Sequence, residues 1–220
     1  MNAGFGFKAS ICAGAVILMA DELPESERYD GLGALLYSQT VASHKVPDLT
    51  EFESWAHADK VAMRVMGATL LDDPCVSLPV PLPGSFTLAE LAQLVLRQWM
   101  PAATAEALYT TLEFLSDQAV TSPANEVLRK YALQQERWIR FKFGVLSQGI
   151  AMSIAVISFE MDEAVADNLL RHRFSTEKVL GNVSVAGYKA LIDPEDYDLS
   201  RAKVISLLGS RRQEQIISFI

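Results

Sequence analysis

Five basic residues stand at spacings that gather charge on one side of a sheet: Arg137, Arg140, Lys142, Arg171 and Arg173. Arg140 and Lys142 alternate with Ile139, Phe141 and Phe143, the period-two pattern of a strand with one apolar and one polar face. Arg171 and Arg173 alternate with Leu170, His172 and Phe174 in the same way. If these segments pair, the five cations form one positive patch, suited to an anionic ligand, a lipid head group or an acidic partner. The plainer alternative is a solvated sheet face balanced by neighbouring Glu and Asp. His172 falls on the apolar parity of its segment, as a buried acid–base group or as a core histidine held by a hydrogen bond. Glu53 and His57 are four residues apart on a predicted helix, a spacing that suits an ion pair, a metal ligand set or a proton transfer. His44 closes a predicted helix, where a cation favours the dipole.

Other signatures of chemistry are missing. The sequence has no Walker loop, HExxH pair or nucleophile elbow, and Gly4-Phe5-Gly6 is too short for a dinucleotide fingerprint. Asp193, Glu195, Asp196 and Asp198 lack the glycine and terminal glutamate of a calcium loop, and read as acids at a helix start. Cys12 and Cys75 are in no CxxC pair, which fits two buried free thiols or one disulfide. No catalytic, cofactor-binding or metal-ligating set emerges, so no cofactor is expected.

The elements that position these residues centre on 138–161. Trp138 to Val145 reads as a strand with one buried and one wet face. Ser147-Gln148-Gly149 is a turn, and Ile150 to Phe159 is a strand covered on both sides. Leu170 to Phe174 and Val183 to Ile192 complete a four-stranded antiparallel meander. Before it the chain reads as mainly helical, with a short strand at Ala68 to Leu71. The first helix covers 26–44; Thr50 and Glu53 form a capping box for a second that ends near Gly67. Thr87 and Glu90 cap a third to Met100, a fourth spans Ala102 to Ser116, and Ser122-Pro123 opens a fifth through Glu136. Pro79, Pro81 and Pro83 stiffen a connector at 74–84. Asp193-Pro194 starts a helix that Gly209 stops, and Ser210 to Ile220 reads as a last short helix.

The expected fold is therefore α+β: a helical N-terminal half, a four-stranded antiparallel β-meander, and C-terminal helices, with helices on one face of the sheet. The expected organisation is one domain over 1–220, comprising an apolar N-terminal segment (1–20), a mainly helical part (21–136), the sheet (137–192) and the closing helices (193–220). Half of the 220 residues are hydrophobic and 21% are charged, a globular composition that buries a core without a staple. A net charge of −8 makes nucleic acid an unfavoured partner. Ala9 to Ala20 after Lys8 looks like a secretory leader, but a cut after Ala20 puts Leu18 where a small residue belongs. The run is also shorter than the ~20 residues that span a bilayer. The expected place is the cytoplasm, with secretion as the alternative and the apolar run as a buried strand or short helix.

Leu35-Leu36-Tyr37-Ser38-Gln39, Trp55, the stretch Val65 to Leu71, the meander, and Tyr197 to Gly209 with its Leu208-Gly209 end resemble a loose family of uncharacterised bacterial single-domain proteins. The resemblance covers most of the chain through packing residues and implies no activity, cofactor or site residue.

Three functions follow as expectations. The leading one is a non-enzymatic protein-interaction or assembly module that self-associates, from the apolar content and the absence of a catalytic constellation. A membrane-active or toxin-like protein that inserts the 139–159 hairpin, or Ala9 to Ala20, into a bilayer is the second. A small-molecule enzyme with a pocket containing His172, or Glu53 and His57, is the third.

Overall fold

The computed structural model describes residues 6–72, 84–98, 100–166 and 168–219. Gly4 and Phe5, the proline-rich connector with Cys75, and Trp99 lie outside them.

The elements run in this order: β1 (Phe7–Cys12), β2 (Ala15–Ala20), α1 (Glu25–Lys45), α2 (Phe52–Val65), β3 (Ala68–Asp72), β4 (Ser85–Phe86), α3 (Leu88–Leu96), α4 (Ala102–Ser116), α5 (Pro123–Ala132), β5 (Leu133–Gln134), β6 (Trp138–Ser147), β7 (Ala151–Met161), β8 (Phe174–Ser175), β9 (Val179–Ile192), α6 (Pro194–Leu208), α7 (Arg211–Gln215) and β10 (Ile216–Ser218).

The architecture is α+β, but the expected meander is overturned. Eight strands drawn from the whole chain form one mixed sheet in the order β10-β1-β2-β6-β7-β9-β3, with β5 beside β6. The β6–β7 hairpin is central, in register from Trp138↔Glu160 to Ser147↔Ala151, and Gly149 turns it with a φ of 71°. Its outer neighbours differ from expectation. β9 pairs with β7 and then with β3, while β6 runs parallel to β2, with Ala15↔Lys142 through Met19↔Leu146. The N-terminal apolar run supplies two strands, because Ala13-Gly14 turns the chain and Ala13 accepts a φ of 52°. The N-terminal half is therefore not simply helical.

The expected third strand also dissolves. Only Phe174–Ser175 is extended, and it pairs with Ser85–Phe86 in a separate two-stranded sheet. Leu169, Leu170 and Phe174 are buried by side-chain packing, so their apolar pattern reports burial in a loop.

Helices cover both faces, another correction. The odd-numbered residues of β6 and β7, among them Phe141, Phe143, Ile157 and Phe159, pack with Leu91, Leu108, Leu112 and Leu128 of α3, α4 and α5. The opposite face carries Ile17, Leu146, Ile154 and Tyr188 beneath Leu35 and Leu36 of α1, Met63 of α2 and Val204 of α6. Trp55 and Ala58 of α2 cover Val156 and Ala186. β6 thus has no wet face, and inserting the hairpin into a bilayer would require opening both helical layers. Among the described residues no helix is long and apolar enough to cross a membrane.

Local signals succeed where the chain is its own context. Thr87 and Glu90 form the capping box, Ser122 caps α5, and Asp193 caps α6 by accepting from the Glu195 and Asp196 amides. The box at Thr50 fails: α2 starts after Glu51, and Thr50 donates from N and Oγ1 to Asp48 Oδ1 at 2.9 and 2.8 Å. A residue-48 turn competes for the hydroxyl. The final segment is helical only to Gln215 and ends as β10 on β1.

Candidate functional site

The site lies on the flank of β6. β5 pairs with its beginning, at Leu133↔Ile139, and β2 pairs with it only from Lys142 onward. Arg140 and Phe141 fall in the interval between these two strands. The even parity of Arg140 and Lys142 turns both toward α1 and α2. A cavity of about 250 Å³ opens there, lined by Gln39, Thr40 and Ser43 of α1, Trp55 of α2, the Ala13-Gly14 turn, and Tyr131 and Gln134. Arg140 and Lys142 form its floor, and Arg211 and Gln215 of α7 its rim. The Ala13 amide donates to the Gln215 carbonyl at 2.7 Å and holds α7 against the turn.

Lys142 is 1% exposed, yet its charge is fully matched. Its Nζ donates to both carboxylate oxygens of Asp59, at 2.8 and 2.7 Å, and Ser38 Oγ donates to Asp59 Oδ1 at 2.7 Å. Nζ stands 5.4 Å from the centre of the Tyr188 ring. Tyr188 Oη lies beside Asp59 and Ser38 but meets hydrogen-bond geometry with neither. Its phenol titrates well above the usual range, first through burial and then through the Asp59 charge. Cys12 borders the same group. Burial pushes its thiol up to about 12, with Lys142 opposing and Asp59 reinforcing the rise, so it is an inert core thiol.

Arg140 is different. It is 6% exposed, and its guanidinium stacks on Trp55 with the central carbon 4.7 Å from the ring centroid. Nη2 reaches the Leu49 carbonyl at 3.4 Å, and Nε has no hydrogen-bond partner. Among the described residues no carboxylate pairs with it. Burial pushes it down to about 10. It remains a cation at neutral pH, and the unfavourable state of an uncompensated buried charge persists. Trp55 Nε1 donates to Ser43 Oγ at 3.1 Å, which fixes the ring on which Arg140 lies.

The five cations of the sequence reading do not meet. Arg140 and Lys142 share the cavity floor. Arg137 is at the surface in an ion pair with Glu160 at 3.0 Å. Arg173 pairs with Glu90 of α3, in the opposite helical layer, at 3.4 Å. Arg171 is exposed in the loop before it, its amide accepted by Asn168 Oδ1. His172 is half-buried in that loop with its ring edge-on to Phe174 at 4.6 Å. Its Nδ1 accepts from the Ala166 amide at 3.4 Å, and burial lowers its proton affinity against the pull of Glu163. Glu53 and His57 are exposed on the outer side of α2. Neither they nor His172 line the cavity. Among the described residues no group of three His, Cys, Asp or Glu side chains is placed to hold a metal ion.

Sequence reasoning missed Asp59, Ser38, Gln39 and Arg211. Asp59 had a visible signal: it follows Trp55 by four positions, on the apolar stripe that also holds Ala58 and Ala62, and a carboxylate there needs a buried partner. No protein-family model, curated protein or solved structure matches the chain. The functional reading therefore rests on the chemistry of these side chains.

Proposed function

We propose that the protein binds a small anionic molecule in the cavity between α1, α2 and the flank of β6. The observation that carries this reading is Arg140, a buried guanidinium in the cavity lining with no carboxylate partner among the described residues. A buried cation without a counter-ion calls for one, and an arginine presents planar N–H groups matched to an oxyanion. Trp55 beneath the guanidinium and Ser43 beneath Trp55 hold the plane before any ligand arrives, so little ordering remains to oppose binding. At ~30 Å³ per water the cavity has room for about eight waters, the scale of a metabolite. The test is calorimetric titration of the protein with a panel of small carboxylates and inorganic phosphate. A saturable heat is expected for at least one of them, and Arg140→Gln should weaken it more than tenfold while leaving the fold intact by circular dichroism. No saturable binding, or binding indifferent to Arg140→Gln, overturns the reading.

A second reading, self-association, is favoured by the outer side of α6. Leu199 is 88% exposed there, and Ile205 and Leu207 are exposed on the two flanks of the same helix. A large exposed leucine on an outward helix face favours a contact with a second copy. Light scattering over a range of concentrations should show a dimer that Leu199→Lys dissociates; a monomer at every concentration ends this reading.

A further inference from the structure

The wall of the cavity carries charges and neutral polar groups that bear on which anion would fit it. Two cations in it are uncompensated by lining acids: Arg140 on the floor and Arg211 on the rim. Lys142 does not count as a third, since Asp59 occupies it with both oxygens. Among the described lining residues there is no Asp or Glu. A ligand ammonium would therefore sit near Arg140 with no negative group to receive it, and like charges in a poorly solvated site repel. The neutral lining is rich in amides and hydroxyls: Gln39, Gln134, Gln215, Thr40 and Ser43. Gln39 spends its Nε2 hydrogens on the Cys12 and Leu35 carbonyls at 3.2 and 3.1 Å, which leaves Oε1 as an acceptor. An acceptor held there suits a ligand hydroxyl. The lining contains no glycine-rich run and no start of a long helix, the two backbone features that cradle a phosphate.

We infer that the cavity takes a short hydroxydicarboxylate, with one carboxylate on Arg140, the other reaching Arg211, and the hydroxyl on the amide-lined wall. This rests on the anion-binding reading above and narrows it to one chemical class. The volume suits it, since a four-carbon member has about as many heavy atoms as the cavity holds waters.

The decisive comparison uses molecules of one shape. Malate and aspartate differ only in a hydroxyl against an ammonium, succinate lacks both, and lactate lacks the second carboxylate. Calorimetric titration of the full chain with each, and with inorganic phosphate, should rank malate at least tenfold above aspartate and above succinate and lactate. Arg211→Gln should collapse the malate-over-lactate preference toward unity, and unchanged thermal melting would show that the variant is folded. Aspartate binding as well as malate overturns the class, as does a malate-over-lactate preference that survives Arg211→Gln. Phosphate binding without malate overturns the class and leaves the anion site standing. Failure of every probe, with the fold intact, removes both.

Discussion

Lys142 and Asp59 form a buried ion pair whose members have opposite histories in the sequence. Lys142 sits on a strand where its parity marks it as polar, whereas Asp59 interrupts the apolar side of a helix. Removing one partner strands the other charge, which costs about 3–5 kcal/mol in such pairs, while exchanging both for apolar residues of like volume is often neutral. Lys142→Met and Asp59→Leu should each lower the unfolding free energy by that amount, read from urea denaturation, and the double variant should regain most of it. A double variant as unstable as the sum of the singles would mean that the two charges are not energetically coupled. At this scale the sequence was legible in geometry but not in environment. The alternation of Ile139, Phe141 and Phe143 correctly set Arg140 and Lys142 on one side of a strand. It said nothing of what covers that side, and a strand roofed by α1 and α2 looks the same in sequence as one facing water. Ser38 and Gln39 enter the sequence reading only as part of the stretch that carries the family resemblance, and helical periodicity does not distinguish a buried hydroxyl from a solvated one.

Elements whose signals are local were legible: the turn at Gly149, the caps at Thr87, Ser122 and Asp193, and the stop at Gly209. The β1–β2 hairpin was not, because Ala13-Gly14 carries no Asn or Asp to mark a tight turn and the run around it is apolar throughout. Close packing between elements leaves its own trace in glycine. Gly144 lies on β6 opposite Ile154, and a Cβ there would collide with the Ser153 carbonyl and come within 3.0 Å of Ile154 Cα. Both obstacles are backbone in the middle of the sheet, so neither can rotate aside. Gly31 of α1 faces only the Leu146 methyls, at 2.5 and 2.9 Å, which a rotamer change can move, and alanine in a helix gains about 1 kcal/mol over glycine. Gly144→Ala should therefore destabilise by about 3 kcal/mol, the upper range for overpacking, and Gly31→Ala by clearly less. The two denaturation midpoints decide it, and equal losses would show that the sheet yields as readily as a leucine side chain.

The whole sheet was the least legible level, because its order depends on pairings between distant segments. β2 and β6 are parallel and separated by most of the helices, and β10 joins β1 across nearly the full chain. Strand pattern gives no pairing partner: the buried run of β1 and β2 fits any central position. The consequence can be tested at the sheet's end. β10 covers β1 with Cys12↔Ile216, Ile11↔Ile217 and Ser10↔Ser218, and the Ser10 and Ser218 hydroxyls meet at 3.1 Å. Behind β10, the β1 residues Ala9, Ile11 and Cys12 are almost entirely buried. Deleting residues 216–220 leaves α7 and its cavity residues in the chain but exposes β1 as an apolar edge with unpaired N–H and C=O groups. Such an edge templates pairing with another chain. The half-buried Ile216 and Ile217 side chains are lost as well, worth about 2 kcal/mol together at the usual value of apolar burial. The truncated protein should be less stable by about that much and should associate at concentrations where the full chain does not, read by light scattering and by a lowered urea midpoint. If truncation leaves both mass and midpoint unchanged, β10 does not seal this edge, and the sheet is closed by the packing of α5 and Phe7 against β1 alone.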